Sequence, residues 1–137
     1  MTDISDILKP TGIKVKRLHY IGSADPYIVW FIYNENGEAF AEDLEIETGY
    51  YIQVDIYTKN DLADLYNQVL RLMIAAGFYR IFSSETYEND TKLNHKIIRF
   101  KYVEGSQIWG LFILQKIREM IIYAFDGYRK IICSKTV

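Results

Sequence analysis

The sequence predicts an α+β domain, in which an antiparallel β-sheet carries one long amphipathic helix packed on it. Residues 50–57 alternate between two sets of side chains, as a strand with one buried face does. Residues 62–76 instead repeat apolar side chains every three or four positions, which is typical of a helix with one buried stripe. Two more strand-like segments follow that helix. Strands, a helix and a closing hairpin in this order favour the α+β class.

The region before residue 50 is predicted to hold a short helix and several strands. Residues 3–8 can form the helix, which Pro10 and Gly12 would end. IKVKRL alternates weakly, whereas YIVWFIY, residues 27–33, is a strong β run of aromatic and branched residues. Asn36 and Gly37 form the pair that a tight hairpin turn favours. The returning strand is therefore predicted to begin directly after them.

The helix at residues 62–76 has recognisable signals at both ends. Thr58 followed by Asp61 approximates a capping box, and Gly77 is placed to end the helix in a left-handed conformation. The stripe predicted to face the core consists of Leu62, Leu65, Tyr66, Val69, Leu72, Met73 and Ala76. We therefore expect truncation of a stripe residue such as Leu65 or Leu72 to destabilise the fold.

The closing hairpin is formed by FYRIFSSETYE and HKIIRFKY, with the polar connection NDTKLN between them. In the last strand Ile98, Phe100 and Tyr102 share one face. The other face carries His95, Ile97, Arg99 and Lys101. The sequence therefore divides into an α+β domain at residues 1–103 and a C-terminal extension at residues 104–137.

The extension is apolar on almost all sides. A helix there would have to be buried in the domain or against another subunit, although IWGLFIL could also form a strand. Gln115, Lys116, Arg118 and Glu119 interrupt the apolar run, so a membrane span is not favoured.

Composition and charge narrow the class of protein. The chain of 137 residues has a net charge of −2, which does not favour a nucleic-acid-binding protein. Cys133 is its one cysteine, and the N-terminal residues lack the pattern of a signal peptide, so we expect a reducing compartment. Twelve tyrosines suit a surface that becomes buried in an assembly.

No motif predicts catalysis, a cofactor or a metal. The two histidines, His19 and His95, are not in metal-binding spacing, and the phosphate-binding glycine patterns do not occur. His95 could act as a general base, but a structural hydrogen bond is the favoured interpretation. The acidic residues Glu42, Asp43, Glu45 and Glu47 favour a solvated loop over a cation site. The chain is therefore predicted not to be an enzyme.

One row of side chains suggests an interface. Tyr51, Gln53, Asp55 and Tyr57 lie on the face of their strand opposite the predicted core. Such a row is either an ordinary solvent-facing strand or a contact between subunits, because tyrosine is enriched at interfaces and Gln and Asp can specify pairing. We take these four residues as the candidate oligomer interface.

Three short motifs follow one another in the order QVDIYTK, MIAAGF and YENDTKLNHKIIRF. With this order and spacing the chain resembles the tail-completion, or tail-to-head joining, proteins of long-tailed bacteriophages and prophages. The resemblance covers about residues 7–102. Its matching positions are Gln53, Val54, Asp55, Tyr57, Thr58, Lys59, Met73, Ala76, Gly77, Phe78, Tyr87, Glu88, Asp90, Thr91, His95, Lys96, Arg99 and Phe100.

The resemblance implies a small tail-terminator-like subunit that assembles into a hexameric ring. Such a ring caps the tail tube, docks to a head connector, adaptor or stopper protein, and lets genomic DNA pass through its lumen without sequence recognition. It implies a location in the virion neck, and in the host cytoplasm during assembly, without cofactors or catalytic residues. His95, Lys96 and Arg99 are the motif residues of the last strand.

The chain departs from the family at two places. Asn94 stands where an aromatic residue is common, and the chain continues to Val137 where the family ends soon after the position of Tyr102. Three alternatives remain open. The chain could be a terminator or adaptor subunit of a phage-derived tail-like particle, a small nucleic-acid-binding domain that uses Arg99 and Lys101, or, least favoured, an enzyme.

Overall fold

The computed structural model describes residues 1–105 and 107–135, without the side chains of residues 107–110, 112 and 132–135. The α+β class is confirmed. In chain order the elements are α1 (Ile4–Ile7), a 3₁₀ turn (Lys9–Thr11), β1 (Lys14–Arg17), β2 (Tyr27–Ala41), β3 (Leu44–Thr58), α2 (Ala63–Ala75), β4 (Tyr79–Glu88), β5 (Leu93–Gly105) and α3 (Gln107–Lys135).

The five strands form one sheet in the order β1-β2-β3-β5-β4. β4 and β5 are antiparallel, with Ser83 opposite Ile98. Side-chain pairs run in opposite directions along β3 and β5, from Gln53 with Arg99 to Asp55 with His95, so these strands are antiparallel too. β1 instead pairs parallel to β2. The sheet is therefore mixed, and the expectation of a wholly antiparallel sheet is wrong at this edge.

The core lies on one face of the sheet, beneath α1 and α2. Ile52, Val54 and Ile56 are fully buried, as the alternation along β3 predicts, and Ile98 and Phe100 of β5 join them. The whole cluster comprises Ile4, Leu8, Ile28, Trp30, Ile52, Val54, Ile56, Leu62, Val69, Met73, Phe78, Ile98 and Phe100. All these apolar side chains leave water together, which is the main stabilising contribution to the fold.

Helix α2 packs on the sheet through the predicted stripe, and its deepest residues are Val69 and Met73, both fully buried. Its C-terminus ends as predicted: Gly77 has φ of +93°, and the amides of Gly77 and Phe78 donate to the carbonyls of Ile74 and Met73.

The predicted capping box at the start of α2 is wrong. Thr58 accepts a hydrogen bond from the Asn60 amide, while Asp61 accepts one from the Ala63 amide at 3.0 Å. The helix begins at Ala63, too far along the chain for the Thr58 hydroxyl to cap it, and the N-cap residue Leu62 makes no capping hydrogen bond through its side chain.

The β2–β3 hairpin turns later than predicted. Glu42 and Asp43 form the turn with φ of 50° and 62°, and Gly37 lies within β2. The facing pairs Tyr27–Tyr57 and Tyr33–Tyr51 require this register. A Cβ at position 37 would meet the Phe40 ring and the Glu45 carboxylate. Gly37 therefore serves a close approach of neighbouring side chains rather than a turn.

The chain divides into two compact units. The first comprises Met1–Asn36 and Gly49–Glu104, and the second comprises Gly37–Thr48 and the helical segment that follows Glu104. Of the two alternatives for that segment, the helix is observed, as α3. Its described apolar side chains are exposed, from 37% at Ile113 to 83% at Tyr123, so burial within the chain itself is not observed for them. The boundary at residue 103 stays a prediction.

None of the helices in the described part of the chain combines the length and the apolarity that crossing a membrane requires.

Candidate interaction face

The face of the sheet opposite α1 and α2, called the outer face here, holds most of the residues that the sequence singles out. Because side chains alternate along a strand, Tyr51, Gln53, Asp55 and Tyr57 of β3 point to this face together. β2 adds Tyr27 and Tyr33 beside them, as the ring contacts show. β5 adds His95, Arg99 and Lys101 on the other side.

A continuous chain of polar contacts, hydrogen bonds and one further contact between His95 and Glu88, crosses the outer face. Arg99 Nε donates to Gln53 Oε1 at 3.1 Å, and Gln53 Nε2 donates to both oxygens of Asp55 at 3.1 and 3.2 Å. Asp55 Oδ1 lies 2.9 Å from His95 Nε2, and His95 Nδ1 lies 3.1 Å from Glu88 Oε1. All of these contacts are between side chains, and they connect β3, β5 and the end of β4.

The middle of this chain is buried. Asp55 is 4% exposed and His95 is 8% exposed. Among the described residues, every buried side-chain nitrogen and oxygen has a hydrogen-bond partner. A neutral imidazole can donate from only one nitrogen, but His95 has a carboxylate oxygen beside each nitrogen. The imidazole ring therefore lies between two carboxylates, one from β3 and one from the end of β4.

An aromatic stack covers the histidine. The Tyr57 ring stacks on His95 with 4.2 Å between the ring centres, and Tyr27 stacks on Tyr57 with 4.7 Å between the centres. The Tyr20 ring is tilted by 38° against Tyr27, and their centres are 4.7 Å apart. Burial, followed by the charges of Asp55 and Glu88 and by Tyr27, raises the pKa of Tyr57 well above its usual range. Burial likewise raises the pKa of Tyr27. Both phenols therefore stay protonated at neutral pH.

The other end of the outer face is a patch of cations and aromatic rings. The Arg99 guanidinium lies 5.1 Å from the centre of the Tyr33 ring and 5.2 Å from that of Phe82. Lys101 Nζ lies 5.1 Å from the centre of the Tyr51 ring, and Tyr33 lies 6.1 Å from Tyr51. We call Tyr33, Tyr51, Phe82, Arg99 and Lys101 the cation–aromatic patch.

The candidate residues fall into three environments. Gln53, Asp55, His95 and Arg99 belong to the chain of polar contacts with Glu88, called the network here. Tyr57 belongs to the aromatic rings beside His95, and Tyr51 belongs, with Arg99, to the cation–aromatic patch. Asp55 is buried with partners in its own chain, whereas Tyr51, Gln53 and Tyr57 are half-buried. Their role as an oligomer interface stays a prediction.

Lys96 is separated from the other motif residues. It lies on the helix-bearing side of the sheet, where its Nζ is 4.3 Å from the centre of the Tyr66 ring and 3.4 Å from Glu85 Oε2. Tyr66 also accepts a hydrogen bond from Arg80. Burial raises the pKa of Tyr66, but hydrogen bonds with Ser83 and Arg80 outweigh this, so the pKa is lowered overall. Lys96 thus helps to fix α2 against β4 and β5.

Sequence reasoning missed several residues of the outer face as site residues. Glu88 closes the network, and Tyr27, Tyr33 and Phe82 supply rings from the two neighbouring strands. The alternation of YIVWFIY marks Tyr27 and Tyr33 as sharing a face, but only the hairpin register shows that they face Tyr57 and Tyr51. Within the described residues, no group of three or more His, Cys, Asp or Glu side chains could hold a metal ion.

The chain matches no protein-family model, and a search of the curated proteins finds no relative.

Proposed function

We propose that this protein is a structural subunit of a bacteriophage neck, which forms a ring joining the tail tube to the head connector. It acts by self-association and by docking to neighbouring proteins, and no catalysis is involved. The observation that carries this proposal is the network on the outer face. Gln53 and Asp55 come from one motif that resembles tail-completion proteins, and Glu88, His95 and Arg99 come from another.

The network supports the proposal because it links two motifs that lie about forty residues apart in the chain. Its side chains hold β3, β4 and β5 in a fixed arrangement and present rings at the surface beside them. Tyrosine and arginine at a preorganised surface are typical of residues that dominate the energy of protein interfaces. A face built in this way suits assembly with other proteins. The location that belongs to this proposal is the virion neck.

Assembly at the right place requires weak binding between free subunits and strong binding at the end of a tail tube. A ring of subunits on a tube makes many contacts at once, so the effective concentration raises a weak individual affinity. The exposed rings of Tyr33 and Phe82 remain compatible with a free subunit because each is a single apolar group beside charged neighbours.

Electron microscopy of the purified protein with isolated tail tubes tests the proposal. We expect rings at one end of tubes that lack a neck, and sedimentation should show the protein moving with those tubes. Tubes that already carry a complete neck are the control and should not bind it. A protein that stays apart from neckless tubes, and forms no rings at any concentration, would show that the proposal is wrong. Binding to a phage-derived tail-like particle instead would favour the adaptor alternative.

A second candidate function is nucleic-acid binding, and the cation–aromatic patch is the observation that favours it. Arg99 and Lys101 beside exposed rings could contact phosphates and stack on unpaired bases. The net charge of −2 opposes it. A titration with single-stranded DNA at several salt concentrations decides between the two, because a nucleic-acid-binding protein should lose affinity steeply as salt rises.

A further inference from the structure

The charges of this chain are distributed unevenly along the sequence. Residues 35–47, called the acidic hairpin tip here, contain no lysine and no arginine. They contain six carboxylates: Glu35, Glu38, Glu42, Asp43, Glu45 and Glu47. Glu45 accepts a hydrogen bond from Thr48 at 2.7 Å, whereas Glu35, Glu42, Asp43 and Glu47 are exposed at the surface. Phe40 lies among them with 64% of its surface exposed.

The cation–aromatic patch has the complementary character. Arg99 is exposed, and within the described residues it makes no ion pair. Its Nε donates to Gln53, and its guanidinium carbon lies 5.1 Å from the centre of the Tyr33 ring and 5.2 Å from that of Phe82. The remaining N–H donors of a guanidinium in this position can pair with a carboxylate in two parallel hydrogen bonds. The patch therefore presents a preorganised carboxylate-binding group among apolar rings.

We infer that the acidic hairpin tip of one copy of this chain docks on the cation–aromatic patch of the next copy. Carboxylates of the tip pair with Arg99 and Lys101, and the exposed Phe40 ring packs beside Tyr33 or Phe82. This inference rests on the proposed function, because it names the contact by which the subunits would form a ring.

The two surfaces differ, and this determines the kind of assembly. A contact between two unlike surfaces is head-to-tail, and each copy keeps one free tip and one free patch until the assembly closes. Head-to-tail contacts give rings when the rotation between copies closes. Opposite charges would steer the tip to the patch and disfavour tip-to-tip or patch-to-patch contacts. Such an interface should weaken as salt concentration rises.

Charge reversal in both surfaces tests this contact. The patch variant carries Arg99→Glu with Lys101→Glu. The tip variant carries Glu35→Lys, Glu42→Lys, Asp43→Lys and Glu47→Lys, so that four lysines outweigh the two remaining carboxylates and the tip becomes basic. Each variant alone places like charges across the contact, so we expect self-association at least about tenfold weaker than that of the unchanged protein. The control is Arg71→Glu on the exposed side of α2, which should leave association unchanged. Circular dichroism establishes that each variant is folded.

Mixing the two variants gives the decisive result. The acidic patch of the patch variant can pair with the basic tip of the tip variant. The unchanged patch of the tip variant can pair with the unchanged tip of the patch variant, as in the original protein. Alternating copies should therefore assemble in the mixture, in rings with an even number of subunits. A contact within a single chain would not be restored by mixing two defective variants. If Arg99→Glu unfolds the protein, Lys101→Glu alone replaces it as the patch variant.

The outcomes separate this inference from the proposed function. If both variants form rings on tail tubes as readily as the unchanged protein, this contact is wrong and the proposed function stands. If each variant fails alone and the mixture also fails, the tip and the patch bind other partners, and the inference is again wrong. If the unchanged protein stays monomeric on neckless tubes, both are wrong. Restoration in the mixture alone supports the inference.

Discussion

Asp55 shows how one buried carboxylate can organise a surface. Both of its oxygens accept hydrogen bonds from Gln53, and Oδ1 also lies 2.9 Å from His95 Nε2. Gln53 and His95 each make one further polar contact, with Arg99 and Glu88 respectively. A buried charge is tolerated only when it is paired and fully hydrogen-bonded. The arrangement of Gln53 and His95 on the outer face therefore depends on the carboxylate between them.

Replacement of Asp55 by alanine should lower the free energy of unfolding by about 1–3 kcal/mol, because His95 and Gln53 lose a buried partner. Urea unfolding measures this difference. Glu85→Ala is the matched control, since Glu85 is also a strand carboxylate paired with a motif residue, Lys96, but is exposed. We expect that control to change stability by less than about 0.5 kcal/mol. Equal losses in the two variants would contradict the role given to Asp55.

The raised pKa of Tyr57 predicts that the stability of the fold decreases at alkaline pH. Burial and the neighbouring charges of Asp55 and Glu88 raise its pKa in the folded chain. In the unfolded chain the phenol ionises at about pH 10. The unfolded state therefore loses its proton first, so the contribution of Tyr57 to stability is full below about pH 10 and decreases as the pH rises above it.

Tyr57→Phe removes this ionisation, so its stability should fall less than that of the unchanged protein between pH 8 and pH 11. Urea unfolding at both pH values measures the difference. Tyr87→Phe, at an exposed position, is the control and should keep the full pH dependence. An identical loss in Tyr57→Phe and in the unchanged protein would show that Tyr57 does not contribute.

Helix α2 contains adjacent residues with opposite environments, Met73 fully buried and Ile74 55% exposed. Met73→Ala should cost about 2–5 kcal/mol, because it leaves a cavity beneath the helix. Ile74→Ala should change stability by less than about 0.5 kcal/mol, since the side chain already contacts water. Thermal and urea unfolding of the two variants give the comparison. Similar costs for both would mean that the helix is rotated from the register described.

The elements were predictable where burial determines the pattern. The alternation along β3 and the stripe along α2 are direct consequences of packing against one core, and both are confirmed by the buried positions of Ile52 and Met73. Turn position was not predictable from the Asn36–Gly37 pair. The pairing of two fifteen-residue strands stabilises the hairpin more than the turn preference of one residue pair does. The register of those strands therefore determines the turn, which falls at Glu42 and Asp43.

The candidate site was predictable only within single strands. The row on β3 and the face shared by His95 and Arg99 follow from the alternation of each strand. The row on β3 meets the row on β5 because these two strands are neighbours in the sheet. The sequence does not show this, since α2 and β4 lie between them in the chain. The burial of Asp55 was missed for the same reason, because its partners His95 and Glu88 come from distant parts of the chain.

The apolar side chains of the molecule occupy two different environments, a buried core and an exposed helix. The buried core cluster runs from Ile4 to Phe100 and includes none of the α3 side chains that the structure describes. The described apolar side chains of α3 are exposed instead. A 29-residue helix whose described apolar side chains are exposed is typical of a segment that becomes covered in an assembly. A chain shortened before α3 therefore tests two things: whether the sheet folds without this helix, and whether the exposed side chains of the helix promote association.

A chain that ends at Gly105 should keep the fold, with a free energy of unfolding within about 1 kcal/mol of the full chain, because the core cluster stays complete. It should also associate less at high concentration, since the exposed apolar residues of α3 are gone. Urea unfolding and sedimentation measure the two properties. A chain that ends at Lys92 lacks Ile98 and Phe100 and should not fold. Loss of the cooperative transition in the chain ending at Gly105 would show that α3 contributes to the core.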